Sequence, residues 1–206
     1  MREYFHSNEI KIWLRSNPIE DKYPEQDIQI IILFPKIHLM SLKVFIICAL
    51  AVSALAAYPK YSQCDGKWKN DRLGTSSSDT ICKAGCLMSS VAMMMAGHGV
   101  KINGQPCTPK TLNQWLTKNG GYASGDLFVW GSVAKFGYHY TGRFNKAADI
   151  KAKMNAGQIC ILNVNHGGHW VLATGHDASG FNVNDPGFGK TRQSNGDVVG
   201  SGCFKR

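Results

Sequence analysis

The chain beyond residue 85 shows two different periods of hydrophobic and polar positions. From residue 86 to about residue 155, apolar residues return every three or four positions, as they do in helices with one packed face. After residue 157 they run together or alternate, in QICILNV, HWVLATGH and FNVND, which is typical of strands. Helices that precede an antiparallel sheet in the chain predict an α+β fold.

Capping residues and glycines set the bounds of four predicted helices. Thr108 and Pro109 are residue types that favour the N-cap and the first position of a helix. Glycines follow the apolar segments where helices would end. The predicted helices cover residues 86–96, 108–119, 126–136 and 146–155. No repeat or low-complexity linker interrupts this order, so we expect one domain from residue 58 to residue 206.

The composition changes near residue 57. All 22 glycines follow that point and all four glutamates precede it. Residues 40–57 combine a methionine, one lysine, an apolar run and the small residues Ala54-Leu55-Ala56, which are the features of a secretory signal peptide. The apolar run is shorter than the roughly 20 residues that a membrane-spanning helix needs. We therefore predict a secreted domain at 58–206 with no membrane anchor, and we assign no function to residues 1–39, which suggest an upstream mis-extension or an alternative start.

The predicted mature domain carries all of the excess charge. Residues 58–206 hold 17 lysines and arginines against eight aspartates, whereas residues 1–57 hold six basic and six acidic residues. A basic secreted domain is attracted to anionic surfaces such as cell walls, glycans or nucleic acid. Because no block of five consecutive basic residues occurs, we interpret the charge as a solvated surface and predict no nucleic-acid partner.

Six cysteines remain in the predicted mature domain. In an oxidising compartment, six cysteines suggest three disulfides, although their spacing does not determine the pairing. The even number argues mildly against a catalytic cysteine. Cys160 lies in an apolar, strand-like segment where a buried free thiol is common. The six are Cys64, Cys82, Cys86, Cys107, Cys160 and Cys203.

Three residues form a candidate catalytic set. Cys86 begins the first predicted helix, where free N–H groups and the helix dipole stabilise a thiolate. A thiolate needs a base, and the base needs an acceptor that orients it. His169, after two glycines at a strand start, is the candidate base, and Asp185, at the end of the returning strand, is the candidate acceptor. A simple hairpin count places Asp185 nearer Leu172 than His169, so twist or a bulge must bring the two together.

Each of these residues also has an ordinary structural interpretation. Cys86 would serve as a disulfide partner or a core thiol, and His169 as a strand histidine with satisfied hydrogen bonds. Asp185, followed by proline and glycine, is a normal turn former. The presence of all three in one small domain favours catalysis.

Several segments resemble the cysteine peptidases of the bacteriocin-processing type, and more closely the stand-alone C-thirty-nine-like peptidase domains. The segments are YSQCDGKWKNDRLGTSSS, AGCLMSSVAMMMAGHG, LNQWLTKNGGY, GGHWVLATGH and VNDPGFG. They occur in the same order as in that family, and the resemblance covers essentially all of residues 58–190. The resemblance implies a papain-like fold, with N-terminal helices packed on a C-terminal antiparallel sheet. It further implies that Cys86 is the nucleophile, His169 the general base, Asp185 its orienting acceptor and Gln63 an oxyanion donor.

The sequence thus predicts a secreted, monomeric cysteine peptidase that hydrolyses peptide or isopeptide amides without a cofactor. A peptidoglycan amidase or endopeptidase with the same chemistry is an alternative, in one form with Cys64 as nucleophile, although CDGKWKND is a poor helix start. Another is an inactive binding domain with Cys86 in a third disulfide. The spacing of His166, His169 and His176 matches no strong zinc pattern. We therefore predict no metal.

Overall fold

The structure is a computed structural model that describes residues 57–206. The N-terminal extension at 1–39 and nearly all of the predicted signal peptide at 40–57 lie outside the described residues. Both stay predictions.

Four α-helices lie within the described part of the chain, and three of them confirm predicted helices. Their bounds are α1 Ile81–Ala84, α2 Cys86–Gly97, α3 Pro109–Lys118 and α4 Ala147–Asn155. Thr108 caps α3 as predicted, because its hydroxyl accepts a 3.2 Å hydrogen bond from the N–H of Thr111. Among residues 57–206, no helix has the length and apolar character that crossing a membrane requires.

The described residues form ten strands, namely β1 Lys101–Ile102, β2 Gln105–Pro106, β3 Tyr122–Ala123, β4 Leu127–Phe128, β5 His139–Phe144, β6 Ile159–Val164, β7 His169–His176, β8 Gly180–Asn184, β9 Arg192–Ser194 and β10 Gly200–Lys205. The main sheet has six antiparallel strands in the order β5-β10-β6-β7-β8-β9. The sequence predicts only its three central segments, β6, β7 and β8. Two small hairpins, β1-β2 and β3-β4, lie outside it.

The helix predicted at 126–136 is wrong in type. Strand β4 occupies its start, and a 3-10 helix, Trp130–Phe136, forms the rest. Ser124 and Gly125 adopt positive φ angles of 47° and 97°, which makes a tight turn between β3 and β4. The ring of Trp130 packs over Gly202 in β10, where an added Cβ would lie 2.1 Å from it. Contacts between distant segments therefore outweigh the local helical spacing.

Two hydrophobic cores cover the two faces of the sheet. On one face α2 packs against β7, and three fully buried methionines of α2, residues 93–95, join Leu172 in the first core. On the other face Ile150 of α4 packs with Val171 and Ala173 in the second core. Alternate residues of β7 thus enter different cores. This arrangement confirms the predicted α+β fold, with N-terminal helices on a C-terminal antiparallel sheet.

Two disulfides form among the described cysteines, not the three that the even number suggests. They join Cys64 to Cys82 and Cys160 to Cys203, and they leave Cys86 and Cys107 free. The interpretation of Cys160 as a free thiol is therefore wrong. Cys160 and Cys203 lie directly opposite each other on β6 and β10, and the sequence pattern does not predict β10.

Candidate active site

Cys86 is the first residue of α2 and is partly exposed. Its backbone N–H is one of the first-turn groups that have no partner within the helix, so this end of α2 attracts negative charge. Gly85 makes the tight junction between α1 and α2 possible. A Cβ at that position would lie only 2.5 Å from the carbonyl oxygen of Ile81. The local sequence therefore places a thiol at the open end of a buried helix.

His169 and Asp185 form a buried pair at one end of the sheet. The Nε2 atom of His169 lies 2.7 Å from Oδ1 of Asp185, and the two residues are 5% and 2% exposed. The same carboxylate oxygen accepts hydrogen bonds from the backbone N–H groups of Gly187, at 2.8 Å, and Phe188, at 3.0 Å. Asp185 is thus held on one oxygen by three donors. Nδ1 is the imidazole nitrogen left for a second partner.

A β-bulge sets the register of this pair. Leu172 lies opposite Asn184, and the register shifts by one residue between Ala173 and Gly175. Asp185, the residue after Asn184, therefore continues the ladder to a position opposite Val171. Val171 is two positions from His169, and side chains two positions apart share a face of a strand, so Asp185 and His169 lie on the same face. The bulge that the hairpin count requires is present. It brings Asp185 one position nearer the histidine than a regular hairpin would.

A strained loop leads into His169. Asn165, His166 and Gly167 have consecutive positive φ angles of 52°, 55° and 95°, a conformation that is uncommon outside glycine. The side-chain amide of Asn163 donates to the carbonyl oxygens of Gly167, at 3.1 Å, and His169, at 3.3 Å. These bonds fix the loop and thereby the start of β7.

The surroundings of His169 favour its charged form. Burial alone would lower the pKa of His169, but the hydrogen bond that its ring donates to Asp185, together with hydrogen bonding and charge from Cys86, raises this pKa to about 9. Burial acts to raise the pKa of Asp185, and hydrogen bonds from His169, Phe188 and Gly187 outweigh it, so the pKa lies below its usual value. The buried pair therefore holds an imidazolium beside the thiol of Cys86.

Gln63 lies at the same cleft, where it is 7% exposed. Its backbone N–H donates to the carbonyl of Pro186 at 2.8 Å, and its side-chain Nε2 donates to the carbonyl of Cys82 at 2.6 Å. The cleft has a volume of about 600 Å³ and is lined by Gln63, Cys86 and His169 together with apolar side chains. The structure thus brings all four predicted residues to one place, since Asp185 is bonded to His169.

Two alternatives from the sequence, Cys64 as the nucleophile and Cys86 in a third disulfide, are not formed among the described residues. Cys64 is in a disulfide and Cys86 is not, so the free thiol of the cleft belongs to Cys86. His176 is hydrogen-bonded to Asn155 at 2.9 Å, away from the His169 pair.

Two residues of the site are missed by sequence reasoning. The ring of Phe188 lies 4.9 Å from the imidazole of His169, centroid to centroid, in an edge-to-face contact. Gly187 is required by close approach, because a Cβ there would lie 2.8 Å from Cε1 of His169. The sequence DPGFG indicates a turn, and nothing in its pattern shows that the turn folds onto an imidazole.

A free cysteine at a helix N-terminus, facing a cleft with a histidine bonded to an aspartate, is the arrangement of a cysteine peptidase. Comparison with protein families matches residues 56–199 to the Peptidase_C39 like family. The chain belongs to this family, and the enzyme class of the family is cysteine peptidase.

Among solved structures, the chain is similar to a double glycine motif protease from an AMS/PCAT transporter, solved in complex with the leader peptide. The two are 18% identical, with a TM-score of 0.41, over 58% of this chain and 83% of the other. No curated protein matches the chain.

Proposed function

We propose that the protein is a secreted cysteine peptidase with Cys86 as nucleophile, His169 as acid and base, and Asp185 as the residue that orients His169. The observation that carries this proposal is the 2.7 Å hydrogen bond between His169 and Asp185 at the cleft that holds the free thiol of Cys86. The raised pKa of His169 supports an imidazolium ready to donate a proton.

The reaction proceeds by acyl transfer to sulfur. The Cys86 thiolate attacks the amide carbonyl carbon, and an S–C bond forms while the carbonyl oxygen becomes an oxyanion. The backbone N–H of Cys86 and the second N–H of Gln63 Nε2 stabilise that oxyanion. His169 gives its proton to the leaving amine as the C–N bond breaks. A water molecule, deprotonated by His169, then hydrolyses the thioester and restores Cys86.

The lining of the cleft favours a peptide as substrate. Apolar side chains, including Leu127, Phe128 and Trp170, lie along it beside Gly167 and Gly168. Leu127 is 62% exposed. Such walls bury apolar side chains of a substrate, while the glycines let its backbone approach closely.

The excess of basic residues favours one narrower candidate, a peptide attached to an anionic cell-wall polymer. Residues 58–206 hold 17 basic and eight acidic residues. Attraction between such a domain and an anionic polymer weakens as salt screens it. Hydrolysis of purified wall fragments should therefore fall as salt rises from about 0.05 to 0.5 M, whereas hydrolysis of a neutral peptide should change little. Equal salt dependence for both would contradict this candidate.

Thiol labelling and peptide hydrolysis test the proposal together. Of the two free cysteines among residues 57–206, Cys86 is partly exposed and Cys107 is 1% exposed. Burial raises the pKa of the Cys107 thiol to about 12. We expect iodoacetamide to label Cys86 alone in the folded protein and to abolish hydrolysis of a fluorogenic peptide library in proportion to labelling. Full labelling of Cys86 with undiminished hydrolysis would overturn the proposal.

Secretion has its own test. N-terminal sequencing of material from the culture medium should give Ala57 or Tyr58 as the first residue, after the Ala54-Leu55-Ala56 site. Secreted protein that retains Met1, or any residue before Ser41, would contradict the signal peptide.

A further inference from the structure

The disulfide between Cys64 and Cys82 lies at the proposed catalytic cleft, beside Gln63. Both cysteines line the cleft together with Cys86. Cys64 follows Gln63 directly in the chain, and the carbonyl of Cys82 accepts the 2.6 Å hydrogen bond from Gln63 Nε2. The disulfide therefore joins Cys64, the neighbour of Gln63, to Cys82, whose carbonyl accepts the hydrogen bond from the Gln63 side chain.

We propose that this disulfide is a positioning element for the oxyanion donor. It holds the Cys82 carbonyl where that carbonyl takes one N–H of the Gln63 amide and directs the other N–H toward the oxyanion. Donors that are fixed in advance stabilise an oxyanion far better than donors that must be ordered during the reaction. The inference rests on the proposed role of Gln63.

The local contacts explain why a covalent bond is useful here. The side chain of Gln63 has one hydrogen bond to protein, to Cys82, and its Oε1 is buried without a partner among the described residues. The backbone of Gln63 is bonded to Pro186, next to Asp185. The disulfide thus completes a connection from the Asp185 turn, through Gln63, to the segment that leads into Cys86.

The second disulfide provides a matched comparison. Cys160 and Cys203 are fully buried in the sheet, whereas Cys64 is exposed and Cys82 is partly exposed. Exposed disulfides are the ones that react readily in a folded protein. A water-soluble phosphine should therefore reduce the cleft disulfide to two thiols, becoming the phosphine oxide with oxygen from water, before it reaches the sheet disulfide.

This arrangement makes opposite demands on the redox environment. Catalysis needs Cys86 as a free thiol, and oxyanion stabilisation needs Cys64 and Cys82 as a disulfide. For a protein isolated with partly oxidised Cys86, we expect hydrolysis to rise at low phosphine concentration and to fall at higher concentration, while the far-UV circular dichroism spectrum stays unchanged.

A double-mutant cycle tests the inference. Cys64→Ser/Cys82→Ser should lower kcat about tenfold and change KM less than twofold. Gln63→Ala alone should lower kcat by about 10². Adding both cysteine substitutions to the Gln63→Ala variant should lower its kcat by less than twofold, because the disulfide acts through the Gln63 amide, which this variant lacks. Cys160→Ser/Cys203→Ser is the control, with reduced stability and a kcat within twofold of the parent.

The outcomes separate this inference from the proposed function. The inference would be overturned if kcat were unchanged in the variant without the cleft disulfide. It would also be overturned if the cysteine substitutions lowered kcat equally in the parent and in the Gln63→Ala variant. A parent protein with no hydrolytic activity would instead contradict the proposed function. In that case the NMR signals of the Gln63 side-chain amide still decide the inference. We expect them to show a protected N–H in the oxidised protein and to lose that protection on reduction, and protection that survives reduction would refute it.

Discussion

The helical region and the sheet region contribute to the site in different ways. Helix α2 places Cys86 through contacts close in the sequence, since Gly85 packs on Ile81 and the thiol stands at the first helical residue. The sheet places His169 and Asp185 through pairing between strands, and that pairing includes a bulge. The proposed nucleophile depends on local structure and is easily predicted, whereas the proposed base and its acceptor depend on register between distant segments.

The two regions also differ in what their surroundings do to charge. The end of α2 is open and its first-turn N–H groups attract an anion. The sheet pair is buried, and its carboxylate is satisfied on one oxygen by three donors. The sheet region therefore stabilises positive charge on the imidazole, whereas the end of α2 has the polarity that attracts an anion. Four substitutions or deletions separate these contributions.

The largest effect should follow from replacing the nucleophile of the helical region. Cys86→Ser keeps the shape of the side chain but replaces a thiolate by a hydroxyl that the site cannot ionise, so kcat should fall by about 10⁴. The thermal midpoint should change little. The control is Cys107→Ser, which replaces the other free cysteine in the first core. It should lower stability and retain kcat, and a Cys86→Ser variant with parental turnover would refute the assignment.

A smaller loss should follow from crowding the base in the sheet region. Gly187→Ala introduces a methyl group 2.8 Å from Cε1 of His169, so the imidazole must move away from its partners. We expect kcat to fall by about 10², because misplacement of a catalytic group by about 1 Å has effects of that size. Gly66→Ala is the control, since a Cβ there meets nothing within 4 Å. Equal activity of the two variants would show that His169 has room to move without cost.

Asp185→Asn should have a milder effect, about tenfold in kcat. All three hydrogen bonds to Asp185 end on Oδ1, and Oδ2 is buried without a partner among the described residues. An asparagine oxygen can replace Oδ1, and its amide group then takes the place of Oδ2, where no donor opposes it. What is lost is the negative charge. A loss as large as that of Cys86→Ser would show that the charge itself is essential.

The same variant should change the pH profile. In the parent, activity should fall as pH rises through about 9, where His169 loses its proton. The asparagine lowers the pKa of His169, so this fall should move to lower pH. The folded chain binds the His169 proton more tightly than the unfolded chain, whose value is near 6.5. The stabilising contribution of the pair is therefore complete below pH 6.5 and lost as pH rises through about 9. An unchanged alkaline limb in the variant would contradict this account.

The features that the sequence predicts are set by local contacts, and the features that it misses depend on pairing between distant segments. Caps, glycines and periodicity predict α2, α3, α4 and the strands β6, β7 and β8. The family resemblance indicates all four residues that the structure brings to the cleft. The Trp130 segment and the Cys160 disulfide are missed because both depend on β10, whose sequence GSGCFK has little strand pattern. The contact of Phe188 with His169 is missed for a related reason, since a turn sequence does not specify which residue lies beneath it.

The smallest effect should come from deleting Thr174. This exposed residue is the extra one in β7, between Ala173, which pairs with Val183, and Gly175, which pairs with Asn182. Its removal leaves every observed pair in place and turns the bulge into a regular ladder, so His169 and Asp185 keep their common face. We expect kcat within about threefold of the parent. Deleting Leu172 instead should destabilise the fold, because Ala173 then takes the buried place of Leu172 in the first core. If the Thr174 deletion is folded but inactive, the bulge orients the pair through local twist and not through register alone.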